Sequence, residues 1–332
     1  MIEVLGQDEV LNLFSKLAIK DKIPNSLIFT GLKGVGKFSS ALWLASLVNC
    51  TNSDLNLRPC GRCPHCKKIS QLNSVDIHVV EPDSVTLNLK IDQIRELVAE
   101  SSFAPSELKK RIFIVKNAER MTDEAGNSIL KVLEEPPKYL LFILTASDSS
   151  SVLPTILSRC TEIKFRDIPK DIIFDWLLKN KMTDEENAKL ISSIAFGSIG
   201  VAEEYAKDPK KLEKRISFLD ILTNIEKYSS FEISAKTSNL CSSLSDFFEI
   251  NKAISLWLRD LMAVSVCKDF RDFVNIDFSE QIVKQSNIVS VSSLLAISEL
   301  LKETVKKTFF NVNPSFLSDN LFRGISLILL NG

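Results

Sequence analysis

The sequence predicts an α/β plus all-α protein, a phosphate-loop domain followed by helices, and three observations carry that prediction. The first is Gly31-Leu32-Lys33-Gly34-Val35-Gly36-Lys37, set between an apolar strand-like run, Leu27 to Thr30, and a helix-like run from Ser40 to Val48. Glycines let successive N–H groups curl inward, the following helix adds the positive end of its dipole, and a lysine reaches the phosphates. The second is the alternation of short β-branched runs with helical stretches up to Phe165, which implies right-handed crossovers and a mostly parallel sheet covered on both faces. The third is the change beyond Pro169, where helical stripes follow one another and Gly and Pro become scarce.

A chain of 332 residues suits two or three domains. The divisions expected are 1–166 for the sheet domain with a metal module at about 50–70, 167–207 for a small helical domain, and 208–332 for a larger one. Lys and Arg total 41 against 42 Asp and Glu, a net charge of -1, so bulk attraction to nucleic acid or membrane is excluded and any DNA contact needs a local patch. No apolar run approaches the ~18 residues of a membrane span, and the N-terminus is not a signal segment, which makes a cytoplasmic location the expectation.

In chain order, residues 8 to 20 carry Val10, Leu11, Phe14, Leu17 and Ala18 at helical spacing before Pro24. In the phosphate loop, Gly31, Gly34, Gly36 and Lys37 are the cradle residues. The position after Lys37 should offer a hydroxyl to Mg²⁺ and is Phe38 instead. Ser39 is displaced by about 100° around the helix and does not substitute.

Four of the seven cysteines, Cys50, Cys60, Cys63 and Cys66, crowd the next segment. Two overlapping C-x-x-C units with a fourth cysteine upstream can give four thiolates to one tetrahedral, structural Zn²⁺, with His65 inside the knuckle expected to face solvent.

Ile77 to Val80 reads as a strand in which His78 is a satisfied core residue, and Ile91, Ile94, Leu97 and Val98 form a helical stripe. Arg111 to Val115 is a strand of the kind that ends, in phosphate-loop ATPases, with an Asp for the metal; it ends here in Lys116-Asn117, with no acid before Glu119. Thr122 caps a helix running to Glu135 and stopped by Pro136-Pro137. Leu140 to Leu144 is a fourth strand, Ser151 to Cys160 a short helical segment containing Arg159, and Thr161 to Phe165 a fifth strand.

In its order of elements the chain resembles the AAA+ clamp-loader family. The residues that carry the likeness are the loop Gly31 to Phe38, the cysteine module, Ile91 to Leu97, Asn127 to Pro137, and Leu153-Pro154 through Ser158-Arg159-Cys160, with a weaker trace at Asn311 to Asn313. The resemblance implies an AAA+ RecA-like domain, a lid at about 167–207, and a collar from about 208 that joins five subunits in a ring. It implies motor (gamma/tau) and delta subunits as partners, indirect contact with the sliding clamp, and primer-template DNA in the assembled complex. By motif match, Arg159 is an arginine finger given in trans to ATP on a neighbouring subunit. Motor subunits also carry a sensing arginine after Gly-Ser in the lid, whereas Gly197-Ser198-Ile199 is followed here by Gly200. These departures favour a non-hydrolysing stator, the alternatives being an active motor-type ATPase and a zinc-based nucleic-acid module. Whether the loop still takes ATP or ADP is left open, and in-domain pairing of Arg159 with Glu134, Glu135 or Glu162 is its ordinary alternative.

Overall fold

The computed structural model describes residues 2–83, 88–237, 240–308 and 312–331, so that Asn311 lies outside the described residues. The first elements are α1 (Asp8–Ile19), β1 (Ser26–Thr30), α2 (Lys37–Asn49), α3 (Pro64–Ser70), β2 (Ile77–Val80), α4 (Ile91–Glu100), β3 (Arg111–Val115), α5 (Asp123–Glu134), β4 (Leu140–Ala146), α6 (Pro154–Leu157) and β5 (Thr161–Lys164). Among the described residues nine further α-helices follow, from α7 (Lys170–Lys179) to α15 (Pro314–Asn331). The chain divides into two compact units, Met1–Ile173 with Gly197–Val201, and Phe174–Phe196 with Ala202–Gly332.

In the first unit the five strands are all parallel in the order β2-β3-β4-β1-β5. β1 is flanked on both sides, with Ser26 opposite Phe142 and Thr30 opposite Lys164, so the loop that follows Thr30 is held at the C-terminal edge of an interior strand. Strand alternation separates two cores. Leu27, Phe29, Ile112, Ile114, Leu141 and Ile143 pack against Phe14 of α1 and Leu44 of α2. Ile28, Phe113, Val115, Phe142 and Leu144 pack on the other face against Ile94 of α4 and Ile129 of α5. Buried on both faces, these strands read as continuous apolar runs, which is why they were legible without any alternating pattern.

α5 starts as expected, Thr122 accepting from the Ala125 N–H. His78 is satisfied as expected, stacked on Phe113 and accepting from the Arg111 guanidinium at 3.1 Å.

The second unit is helical in its described residues. Its core surrounds α12 (Leu244–Val266), whose Trp257 is fully buried and donates through Nε1 to Gln285 Oε1 at 3.0 Å. Arg215, 3% exposed, is bidentate to Asp277 at 2.6 and 3.0 Å, so its charge is paired where water cannot solvate it.

Candidate functional site

The loop between β1 and α2 has the left-handed backbone its glycines allow. Gly34 and Gly36 have φ of 81° and 96°, and a Cβ on Gly34 would stand 2.3 Å from Ser198 Oγ. Lys37 is only 8% exposed. Its Nζ donates to the carbonyl oxygens of Gly31 and, at 2.8 Å, Leu32. Burial lowers its pKa to about 8, against a smaller upward pull from Glu119. The Glu119 carboxylate itself accepts from Ser147 Oγ at 2.8 Å.

The two positions at which Mg²⁺ would need oxygen ligands are in contact with each other. Lys116 Nζ lies 4.0 Å from the centroid of the Phe38 ring and 2.9 Å from Glu81 Oε2. An ammonium over a ring face is attracted by the ring quadrupole, by about 0.5–2 kcal/mol depending on desolvation. A ring and an ammonium offer no lone pair to a metal, so these residues do not fit Mg²⁺.

A second contact seals the loop. Ser198 Oγ donates to Lys33 O at 2.7 Å and the Gly200 N–H to Gly34 O at 2.9 Å. A Cβ on residue 200 would stand 2.9 Å from Gly34 Cα, so any side chain there, an arginine included, requires the backbones to part.

The four cysteines converge: the sulfurs of Cys50, Cys60, Cys63 and Cys66 lie within 4.8 Å of one another. Backbone N–H groups of residues 60, 63 and 66 each point at the preceding cysteine's sulfur at 3.4 Å. At Cys63, burial raises the pKa, but hydrogen bonds involving Thr51 and Cys66 outweigh it and hold the thiol at about 5. A thiolate is the form a metal takes. Four sulfurs at about 2.3 Å from a tetrahedral Zn²⁺ sit about 3.8 Å apart, which this set meets with a small contraction.

Two local features differ from the sequence expectation. The second knuckle opens a helix, α3, with Cys63 as its N-cap and Pro64 as its first residue. His65 is half-buried rather than turned to solvent, its Nδ1 lying 2.9 Å from Asn49 O at the end of α2. The missed signal was Pro64 directly after a cysteine, a helix-start pattern hidden by the metal motif.

Arg159 stands between α6 and β5. Its Nε and Nη2 both donate to Glu134 Oε2 at 3.2 Å, and Nη1 donates to Thr155 O at 3.1 Å. The side chains are 30% and 59% exposed, so this is a surface pair, of a kind worth about 0–1 kcal/mol.

A family model described as "DNA polymerase III, delta subunit" matches residues 6–169, across the whole phosphate-loop sheet. DNA polymerase III subunit delta' of Bacillus subtilis is 32% identical over 215 residues, 65% of this chain and 64% of that protein. Over residues 6–169 this chain matches the DNA polymerase III clamp-loader family. The gamma/tau subunit of Mycoplasma genitalium is also 32% identical, over 281 residues that make up 80% of this chain and 46% of that protein. The chain thus spans from about half to under two thirds of the length of these relatives. A solved structure of a DNA polymerase III gamma subunit-related protein from Thermotoga maritima aligns with 95% of this chain and 99% of its own at 18% identity and a TM-score of 0.48.

The structure brings Gly31, Gly34, Gly36 and Lys37 together in one loop and the four cysteines in one cluster. Arg159 stands apart from both: its side chain hydrogen-bonds to Glu134, Thr155 and Ser158. Glu81 was not singled out by sequence reasoning, because nothing in it marks the partner of a lysine 35 positions away.

Proposed function

We propose that this chain is a clamp-loader subunit that hydrolyses no ATP of its own, a stator that helps open and load the sliding clamp and gives Arg159 to a neighbouring ATPase subunit. The observation that carries this reading is the Lys116–Phe38 contact at 4.0 Å, which occupies both metal-ligand positions with groups that cannot bind a metal. The Gly200–Gly34 backbone contact supports it, because the motor subunits' sensing arginine has no room there. Gly31, Gly34, Gly36 and Lys37 could still cradle ATP or ADP passively, with Lys37 released from its carbonyls. In this reading residues 167–207 form the lid and 208–332 the collar. Gamma/tau and delta are the partners, primer-template DNA is met in the assembled complex, and the location is cytoplasmic. The motor-type alternative needs Phe38, Lys116, Asn117 and Gly200 all to be compensated.

The reading is tested by assembly. Mixed with purified gamma/tau and delta, the chain should enter one complex by gel filtration, and clamp loading should require it. A chain that elutes alone, or a complex that loads clamps equally well without it, contradicts the proposal.

For the cysteines we propose one structural zinc per chain, which leaves no position open for a reacting water. Metal analysis of protein purified without chelator should give one zinc per chain, and Cys63→Ser should lower that content while the sheet domain stays folded by near-UV circular dichroism. Protein free of metal would overturn the assignment.

A further inference from the structure

At the N-terminal end of β1, the opposite end from the phosphate loop, the first unit carries a cavity of about 490 Å³, within the range of ligand pockets. Its lining is aliphatic at Ile19, Ile23, Leu47, Val48 and Leu55, of which Ile19 and Leu55 keep 47% and 42% of their surface exposed. With these stand Arg58, Lys109, Lys110 and Lys138, against Asp21 as the only acid of the lining, in a chain whose net charge is -1.

These cations differ from several others of the sheet domain that are paired with acids. Arg111 is paired with Glu100 at 2.6 Å, Lys116 with Glu81 at 2.9 Å, and Lys68 with Glu107. Among the described residues, none of the four around the cavity has a carboxylate within ion-pair distance. Two are nonetheless held in place. Lys110 Nζ donates to Asn25 Oδ1 at 2.8 Å, and its main chain is clamped by the buried amide of Asn49, at 2.8 Å from N to Oδ1 and 3.2 Å from Nδ2 to O. Arg58 Nε donates to Asn52 O at 2.7 Å. Burial pulls Lys110 below the usual lysine range, with the charge of Asp21 opposing that shift from beyond ion-pair distance.

We infer that this cavity is a docking site for an acidic peptide segment, its carboxylates meeting Arg58, Lys109, Lys110 and Lys138 while an aliphatic side chain enters between them. Opposite charge across such a surface sets both the choice of partner and the rate of encounter. Nucleic acid fits less well, because no aromatic side chain lines the cavity for bases to stack on. Free phosphate fits less well too, because no glycine lines it to present a nest of N–H groups.

The test uses the full-length, zinc-replete chain and a fluorescent peptide of alternating glutamate and leucine, read by anisotropy. Saturable binding is expected, weakened about tenfold or more by Lys109→Glu with Lys138→Glu. The same charge change at two exposed lysines of the second unit, Lys306→Glu with Lys307→Glu, should leave it within about twofold. Thermal melts of both double variants confirm that they fold. Absence of saturable binding, equal weakening by the two double variants, or displacement of the peptide by oligothymidine or pyrophosphate at lower concentration than by unlabelled peptide would each overturn the inference.

Discussion

Arg159→Ala in the reconstituted clamp loader is expected to slow ATP hydrolysis at the one motor site it faces by about 10³-fold or more, the scale on which an arginine given in trans assists phosphoryl transfer. The isolated chain should scarcely notice. Its Arg159 makes an exposed pair with Glu134, and such pairs contribute about 0–1 kcal/mol. The planar guanidinium suits phosphate oxygens as well as it suits a carboxylate, and little energy is needed to exchange one for the other. Under the proposed function, the role of Glu134 is to orient the arginine until a neighbour's nucleotide arrives. Single-turnover hydrolysis at that motor site, with thermal melting of the isolated variant, checks the claim. A loss of several kcal/mol in stability with unchanged complex hydrolysis would assign Arg159 to the framework of its own domain.

The second large effect concerns Phe38 and Lys116, which behave as one unit because each is the other's partner. Phe38→Thr alone supplies a hydroxyl but leaves an ammonium beside the metal position. Lys116→Asp alone supplies a carboxylate but leaves a ring. Only the double variant offers both oxygens, so only it should bind fluorescent ADP about tenfold or more tightly when Mg²⁺ is added. A double-mutant cycle on thermal stability should return a coupling of about 0.5–2 kcal/mol for the pair. Equal Mg²⁺ dependence in the parent chain and the double variant would show that the two positions do not govern the metal.

The sequence made the parallel sheet legible because strands buried on both faces are written as uninterrupted β-branched and aromatic runs, such as Arg111 to Val115. It made the loop and the cysteine cluster legible because both place chemistry at short fixed spacing. What it hid was pairing at long range. Phe38 and Lys116 each read as a loss, and only the fold, which carries α2 and the end of β3 to the same sheet edge, makes them a contact. Gly200 read as a missing arginine for the same reason; its packing on Gly34 is set by two backbones far apart in sequence. Arg159 was the reverse case, since the ordinary pairing with Glu134 weighed from spacing is the contact found. The cavity beneath β1 had no signature at all, because its four cations come from three separate segments and none repeats a motif.

The central claim is that the phosphate loop of this chain does not hydrolyse ATP. Its most direct test is steady-state ATP turnover by the purified chain with Mg²⁺, alone. Release of phosphate indistinguishable from the buffer blank is the predicted result; turnover on the order of one per second, of the kind a working enzyme shows and abolished by Lys37→Ala, is the result that would contradict it.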